Sequence, residues 1–364
     1  MTGIVVTGWG GLSSAGLDHQ AWTRCLRDGA GPSREPVAEL DGAALPRPTP
    51  HVLSEFDRRE ALGRKGTRFF DRVTAFALTA CGASLRDSGL PLDDSSRHRV
   101  GITLGTTLGS FRSTSDYSRE TLEQEKPYLV NPVLFPNTVI NCASGQAAIW
   151  FGLKGANTTV AGGHTTFLNV LRYAANALRT RTVDAMLAGA AEELSPLSAW
   201  LAHHLHPDGS SPAGEGAAVF TLERAEDAQA RGRPADAEVL SVATAFQSRG
   251  AEASAVVANC LRQALDLAET RPDELDLVVT SGTSEDRELD AVLGPRGPER
   301  LDVNELLGEC QAASGALQAA AVLALHREDP GRDGRRSLLV AHDADGGMAA
   351  AVLRGWSRAG SDSE

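Results

Sequence analysis

One unit recurs along this chain and limits the folds open to it. A short apolar run stops at a small or polar residue, and in most cases a segment of helical period follows. GIVVTGWG (3–10), HRVGITLGTT (98–107), NTTVAGG (157–163), VDAMLAGAAEE (183–193), AEVLSVAT (237–244), LDLVVTSGT (275–283) and SLLVAHD (337–343) read as strands. The first is expected to end in a Gly-rich turn. Helices are predicted over 18–28, 66–88, 111–126, 164–182, 252–268, 285–293 and 311–326. In 66–88, Phe69, Val73, Phe76, Ala77 and Ala80 recur at helical spacing. The three prolines of PYLVNPVLFPNTVI make that stretch a connector as far as Pro136. Strands that alternate with helices pack as an α/β protein with layered, parallel or mixed sheets. A division near residue 236 is expected, into 1–235 and a shorter 236–364. GIVVTGWG and LDLVVTSGT echo each other, as two similar halves would.

Charge and cysteine content exclude several functions. A net charge of −12 and the lack of a Lys/Arg run argue against a nucleic-acid binder. No apolar segment approaches the roughly 18–20 residues of a membrane span. The start, MTGIVVTGWG, lacks the basic and long apolar regions of a signal peptide. The five cysteines (Cys25, Cys81, Cys142, Cys260, Cys310) are odd in number and scattered, so free thiols in a reducing cytoplasm are expected.

Three motifs invite a chemical reading. NCASGQAAIW (141–150) sets Cys142 on a turn that opens a helix, where the helix dipole would favour a thiolate. TGWGGLSSAG resembles a dinucleotide loop, but Ser13 replaces the third glycine. His203, His204 and His206, near Asp208, are too closely spaced and lack the second cluster that a metal site would need.

Several segments in order, IVVTGWGGLSSAG, GRKGTRFFDRVT, FPNTVINCASGQAAIWFGLKGANTTV, VDAMLAGAAEELSP, PAGEGAAVFTLERAEDA, LDLVVTSGTS and ASGALQAAAVLAL, resemble β-ketoacyl synthases over nearly the whole chain. The resemblance implies the thiolase fold: two similar halves in a layered αβαβα arrangement. It also implies elongation of acyl chains on acyl carrier protein by one Cys and two His residues. NCASGQAAIWFGLKGAN matches a stretch that precedes the nucleophile, so Cys142 is a decoy and is expected to be a buried small hydrophobe. Spacing agrees: one long helix and then a strand follow residue 164, whereas another strand intervenes after Cys142.

The nucleophile position then holds His164. Ser281 and Glu309 stand where the two His residues would be, Asn304 where a Lys is usual, and Asp345 where the C-terminal loop carries a gating Phe. A carboxylate opposes the negative charge that builds up in decarboxylation and condensation. Such a degenerate chain is most similar to the chain-length factors of type II polyketide synthases. They pair with an active ketosynthase as a heterodimer, with the acyl tunnel along the interface. Their nucleophile position commonly holds Gln rather than His, and this chain is shorter than usual after residue 245. The implied partners are that ketosynthase and a phosphopantetheinyl acyl carrier protein, with no cofactor of the chain's own. The resemblance assigns Phe111, Thr114, Ser118 and Trp200 to the tunnel, with Ser118 replacing a residue that is often a bulky aromatic; Phe111 and Trp200 read equally well as core aromatics. The alternative is a divergent thiolase-fold acyltransferase that uses His164 as base or nucleophile.

Overall fold

The computed structural model describes residues 2–29, 35–205, 211–250, 252–281, 286–294 and 297–358. Its strands are β1 (Ile4–Leu12), β2 (Val37–Leu40), β3 (Ala43–Thr49), β4 (Val100–Thr106), β5 (Asn157–Ala161), β6 (Ala185–Glu192), β7 (Gly216–Arg224), β8 (Ala237–Phe246), β9 (Leu275–Thr280), β10 (Glu299–Asp302), β11 (Arg336–His342) and β12 (Gly347–Gly355). β2 and β3 form a separate hairpin, and the others join in the order β10-β9-β11-β12-β8-β1-β7-β6-β4-β5.

That order is one motif written twice. Read from β1, the first half runs β1-β7-β6-β4-β5. Read from β8, the second runs β8-β12-β11-β9-β10. Directions match as well: antiparallel, antiparallel, parallel, parallel in each half. The two half-sheets pair through Val5 opposite Glu238 and Val6 opposite Ala237. The fold is therefore α/β with two similar halves. β1 corresponds to β8, and β9 to β4, so the textual echo between GIVVTGWG and LDLVVTSGT joined strands that are not equivalent.

Helices complete the layers. Arg72–Ser88 and Cys142–Phe151 cover the outer face of the first half, and Ala253–Leu267 and Asp286–Leu293 that of the second. Between the halves lie Thr166–Arg179 and Ala312–Arg327, each touching strands of both. The buried side chains divide accordingly. The largest cluster surrounds the central helices, with Phe167, Leu171, Phe220, Leu317 and Leu339 among its members. One cluster lies under each outer layer. Every fully buried Leu, Val or Phe contributes about 1.5–3 kcal/mol, so the central layer dominates cohesion.

Two sequence expectations change here. The glycines of GWGG lie inside β1, which continues to Leu12 with no turn. They are needed because the Arg72–Ser88 helix rests directly on the strand: a Cβ at Gly10 would run into Ala83, Ala80 and Ser84. β7 and β12 are strands that period did not reveal. Their Ala-rich text (GAAVFTLER, GMAAAVLRG) lacks β-branched enrichment and is buried on both faces, so no alternation is visible.

Gly10→Val should therefore lower stability by about 2–3 kcal/mol through overpacking, if it folds at all. Urea denaturation followed by circular dichroism checks this; a wild-type midpoint would refute the packing described.

Candidate reaction centre

The centre forms where the two central helices begin. Thr166–Arg179 follows the turn Gly162–Gly163–His164–Thr165, and Ala312–Arg327 follows Gly308–Glu309–Cys310–Gln311. The helices approach closely because Gly315 has no side chain; a Cβ there would lie 3.1 Å from the Phe167 Cβ and 3.5 Å from the His164 carbonyl oxygen.

His164 and Glu309 are in direct contact, Nε2 to Oε1, at 3.1 Å, and each side chain is about a quarter exposed. The Gln311 N–H donates to the same Glu309 oxygen at 2.8 Å. Gln311 holds φ 46°, ψ −120°, unusual for a residue with a side chain. Such strain costs about 1–3 kcal/mol and persists only where the surroundings impose it. Here it turns the N–H toward Glu309 and aims the carboxylate at His164.

Ser281 joins the centre less directly. Its carbonyl accepts from the Asn304 side-chain amide. The Asn304 Oδ1 accepts from the Ser314 hydroxyl at 3.4 Å, and the Ser314 Oγ accepts from the Cys310 N–H at 3.0 Å. Ser281 and Asn304 thus brace the turn that carries Glu309. The rest of the TSGTS motif, 282–284, lies outside the described residues.

The sequence singled out Asp345, yet Asp345 is exposed and caps its own turn by accepting from the Gly347 N–H. The residue that reaches the centre is Asp343. Its Oδ1 accepts from the His164 N–H, while Oδ2 accepts from the Thr165 hydroxyl and, at 3.3 Å, from the Thr165 N–H. The HDADGGM loop carries two aspartates, and the sequence gives no signal that the first of them reaches the centre.

Glu192, at the end of β6, adds another carboxyl. It accepts from the Thr107 N–H, and the Thr107 hydroxyl accepts from Ala312 N–H at 3.2 Å. Burial, with Glu193 and Glu309 nearby, raises its pKa to about 8. Glu193 is raised to about 7, by burial first and then by Asp71.

Cys142 opens a helix as the sequence suggested, but the thiolate does not follow. Burial, followed by Asp71, lifts the thiol to about 11, so desolvation outweighs the helix dipole. The side chain is half-buried rather than fully buried, against Asn137 and Thr74. Burial also raises Cys25, Cys81, Cys260 and Cys310. No cysteine here is activated.

Phe111 opens the Phe111–Glu123 helix and lines a cavity with Leu108, Leu194, Ser198, Ala199 and Ala202, beside Glu309. Thr114 is half-buried and donates to the Ser110 carbonyl; Ser118 is exposed. Neither lines this cavity. Trp200 does not face it either: its indole N–H donates to the Ala44 carbonyl in β3 at 2.9 Å, and the ring is 40% exposed. Its helix, Pro196–Leu205, presents Ser198, Ala199 and Ala202 to the cavity instead.

Among the described residues, no group of three or more His, Cys, Asp or Glu side chains is placed to hold a metal ion. His206 and Asp208 lie outside the described residues. No described helix is long and apolar enough to cross a membrane.

With this geometry established, comparison with known proteins is decisive. The β-ketoacyl synthase N-terminal domain matches residues 1–228. The chain belongs to the β-ketoacyl synthase family. The ishigamide ketosynthase/chain length factor is 33% identical, with a TM-score of 0.86 over 97% of this chain and 99% of that one. The 3-oxoacyl-[acyl-carrier-protein] synthase 2 of Coxiella burnetii is 26% identical over 77% of this chain and 73% of its own length. The protein of the same name from Vibrio cholerae is 25% identical over 87% and 84%. A type II polyketide ketosynthase complexed with its acyl-carrier protein shares the fold at 18% identity, with a TM-score of 0.80 over 98% of this chain and 100% of that one. The layered, two-half architecture is thus the thiolase fold of β-ketoacyl synthases.

The buried Glu192 makes a pH prediction for this family member. Its folded pKa lies above the unfolded value, so its contribution to stability falls as pH rises from about 4.5 to about 8. Glu192→Gln, which keeps an acceptor for Thr107, should have little effect near pH 4.5 and should stabilise by more than about 1 kcal/mol at pH 8. Thermal melts across that range read the difference; a pH-independent offset would contradict the assignment.

Proposed function

We propose that this chain is a catalytically silent ketosynthase-like subunit. It pairs with an active ketosynthase in the cytoplasm and helps set the length of an acyl or polyketide chain built on a phosphopantetheinyl acyl carrier protein. The observation that carries the reading is the His164–Glu309 contact: an imidazole held by a carboxylate stands where the family places a thiol and its His partners. Ser281, the third altered position, offers the centre only a carbonyl already bound by Asn304. An enolate or oxyanion formed there would face Glu309 and Asp343 rather than positive or neutral donors. The likeness to a protein described as a ketosynthase/chain length factor supports the assignment.

The surface supports a partner. Phe69, Val133, Phe135, Val139, Ile140 and Ile149 are each at least 40% exposed, unusual for large apolar side chains. All but Phe69 belong to the connector and helix beside β5, the last strand in the sheet order, and the Phe69 carbonyl accepts from the Asn137 side chain of that connector. Segment 132–152 is our choice for the heterodimer interface, which for an obligate pair would bury more than about 2,000 Å². Ser118, exposed in the single chain, would line a tunnel completed by the partner, with Phe111 and Thr114 on the same helix.

A second reading draws on the same contact: Glu309 orients His164, as a base in an acyltransferase would be oriented. It still needs free donors for an oxyanion, and the N–H groups at 164 and 165 already serve Asp343. The purified chain should show no condensation or malonyl-carrier decarboxylation. Turnover by the lone chain, lost on His164→Ala, would establish the acyltransferase.

Co-expression with a ketosynthase partner should give a heterodimer by size exclusion and mass measurement; a monomer indifferent to the partner would refute pairing. In the active complex, Ser118→Phe should shorten the products and Phe111→Ala lengthen them, without abolishing turnover. An unchanged product distribution for both, read by mass spectrometry, would place the tunnel elsewhere.

A further inference from the structure

We propose that Asp343 is an internal plug: its carboxylate occupies the anion site at the head of the Thr166–Arg179 helix and closes the centre to acyl transfer, independently of the residue at position 164. Helix N-termini leave N–H groups without partners and attract negative charge. In acyl transfer those donors hold the oxygen of the tetrahedral intermediate. Here Asp343 spans the turn, one oxygen on the His164 N–H, the other on the hydroxyl and N–H of Thr165.

Its own backbone anchors it there. The Asp343 N–H donates to the Gly347 carbonyl at 2.8 Å, and its carbonyl accepts from the Gly346 N–H at 2.9 Å, in the turn between β11 and β12. Gly163 leaves room for it, since a Cβ there would strike the carboxylate. The plug comes from the second half of the fold and fills the helix of the first. A substrate carbonyl oxygen entering this turn would have to displace a bound anion.

The plug makes a prediction that does not depend on any partner subunit. Restoring a thiol at position 164 should not restore reactivity while Asp343 remains. That thiol would face two carboxylates, Asp343 from the β11–β12 turn and Glu309 from the turn before Ala312, and both raise a thiol pKa. The test uses the full-length chain as His164→Cys, alone and combined with Asp343→Asn or Asp343→Ala. Alkylation of the introduced thiol by iodoacetamide is followed against pH by peptide mass spectrometry, which separates it from the five native cysteines.

We expect alkylation at pH 7 to rise at least tenfold when either Asp343 substitution is added, with the titration moving down by a unit or more. Acyl transfer from an acyl-N-acetylcysteamine thioester is the second readout. The thiolate attacks the carbonyl, a new thioester forms, the old C–S bond breaks, and N-acetylcysteamine leaves as the thiol after taking up a proton. Adduct should accumulate at least tenfold faster with Asp343→Ala than with His164→Cys alone. Asp343→Asn, nearly the same shape, keeps the alkylation readout available if the Ala variant does not fold. Equal alkylation profiles with and without the Asp343 carboxylate would overturn the proposal, as would fast acylation of His164→Cys alone.

Discussion

The close approach of the two central helices is the constraint on which the rest of this structure depends. Thr166–Arg179 and Ala312–Arg327 lie between the two half-sheets, and the second is buried along nearly its whole length. Gly315 lets Phe167 and the His164 carbonyl come within van der Waals range. That contact points the beginnings of both helices at one another, so residues far apart in sequence share one small volume. Dense packing then fixes their separation, because interiors yield little. A family that performs acyl transfer needs this convergence; here it persists around different chemistry.

Carboxylates surround this centre. His164 is approached by Glu309 through Nε2 and by Asp343 through its backbone N–H, with Glu192, whose burial raises its pKa to about 8, next in line. The group is internally satisfied: each carboxylate has hydrogen-bond donors, and the strained Gln311 turn supplies one of them. Such a network is costly to disturb, because removing one partner leaves a partly buried charge uncompensated. The arrangement suits a centre that holds the two halves together, and it suits poorly one that must accept a developing negative charge. On the proposed reading, the exposed apolar residues beside β5 would seat a partner that carries the thiol.

The alternation of strands and helices made the fold class legible, and most elements lie within a few residues of where period places them. The duplication was sensed through the wrong pair of strands. Equivalence between β1 and β8 resides in pairing order, which short apolar runs do not encode. β12 escaped because alanine is a helix former by propensity; its neighbours β8 and β11 decide its state. At the centre, His164, Ser281 and Glu309 were readable one at a time as departures from a family pattern. Their relation was not, since a contact between two helix heads is a product of packing. The sequence does not distinguish Asp343 from Asp345, because only the β11–β12 turn geometry tells which carboxylate faces inward. Trp200 is a tunnel candidate by its place in the sequence; packing alone sets its indole N–H on the Ala44 carbonyl of β3.

On the proposed reading, the covalent chemistry belongs to the partner. Intact-protein mass spectrometry of the purified heterodimer, after brief incubation with acyl-loaded carrier protein, tests it most directly. The expected result is an acyl increment on the ketosynthase subunit and an unmodified mass for this chain. An acyl adduct on this chain, mapped to His164, would contradict it.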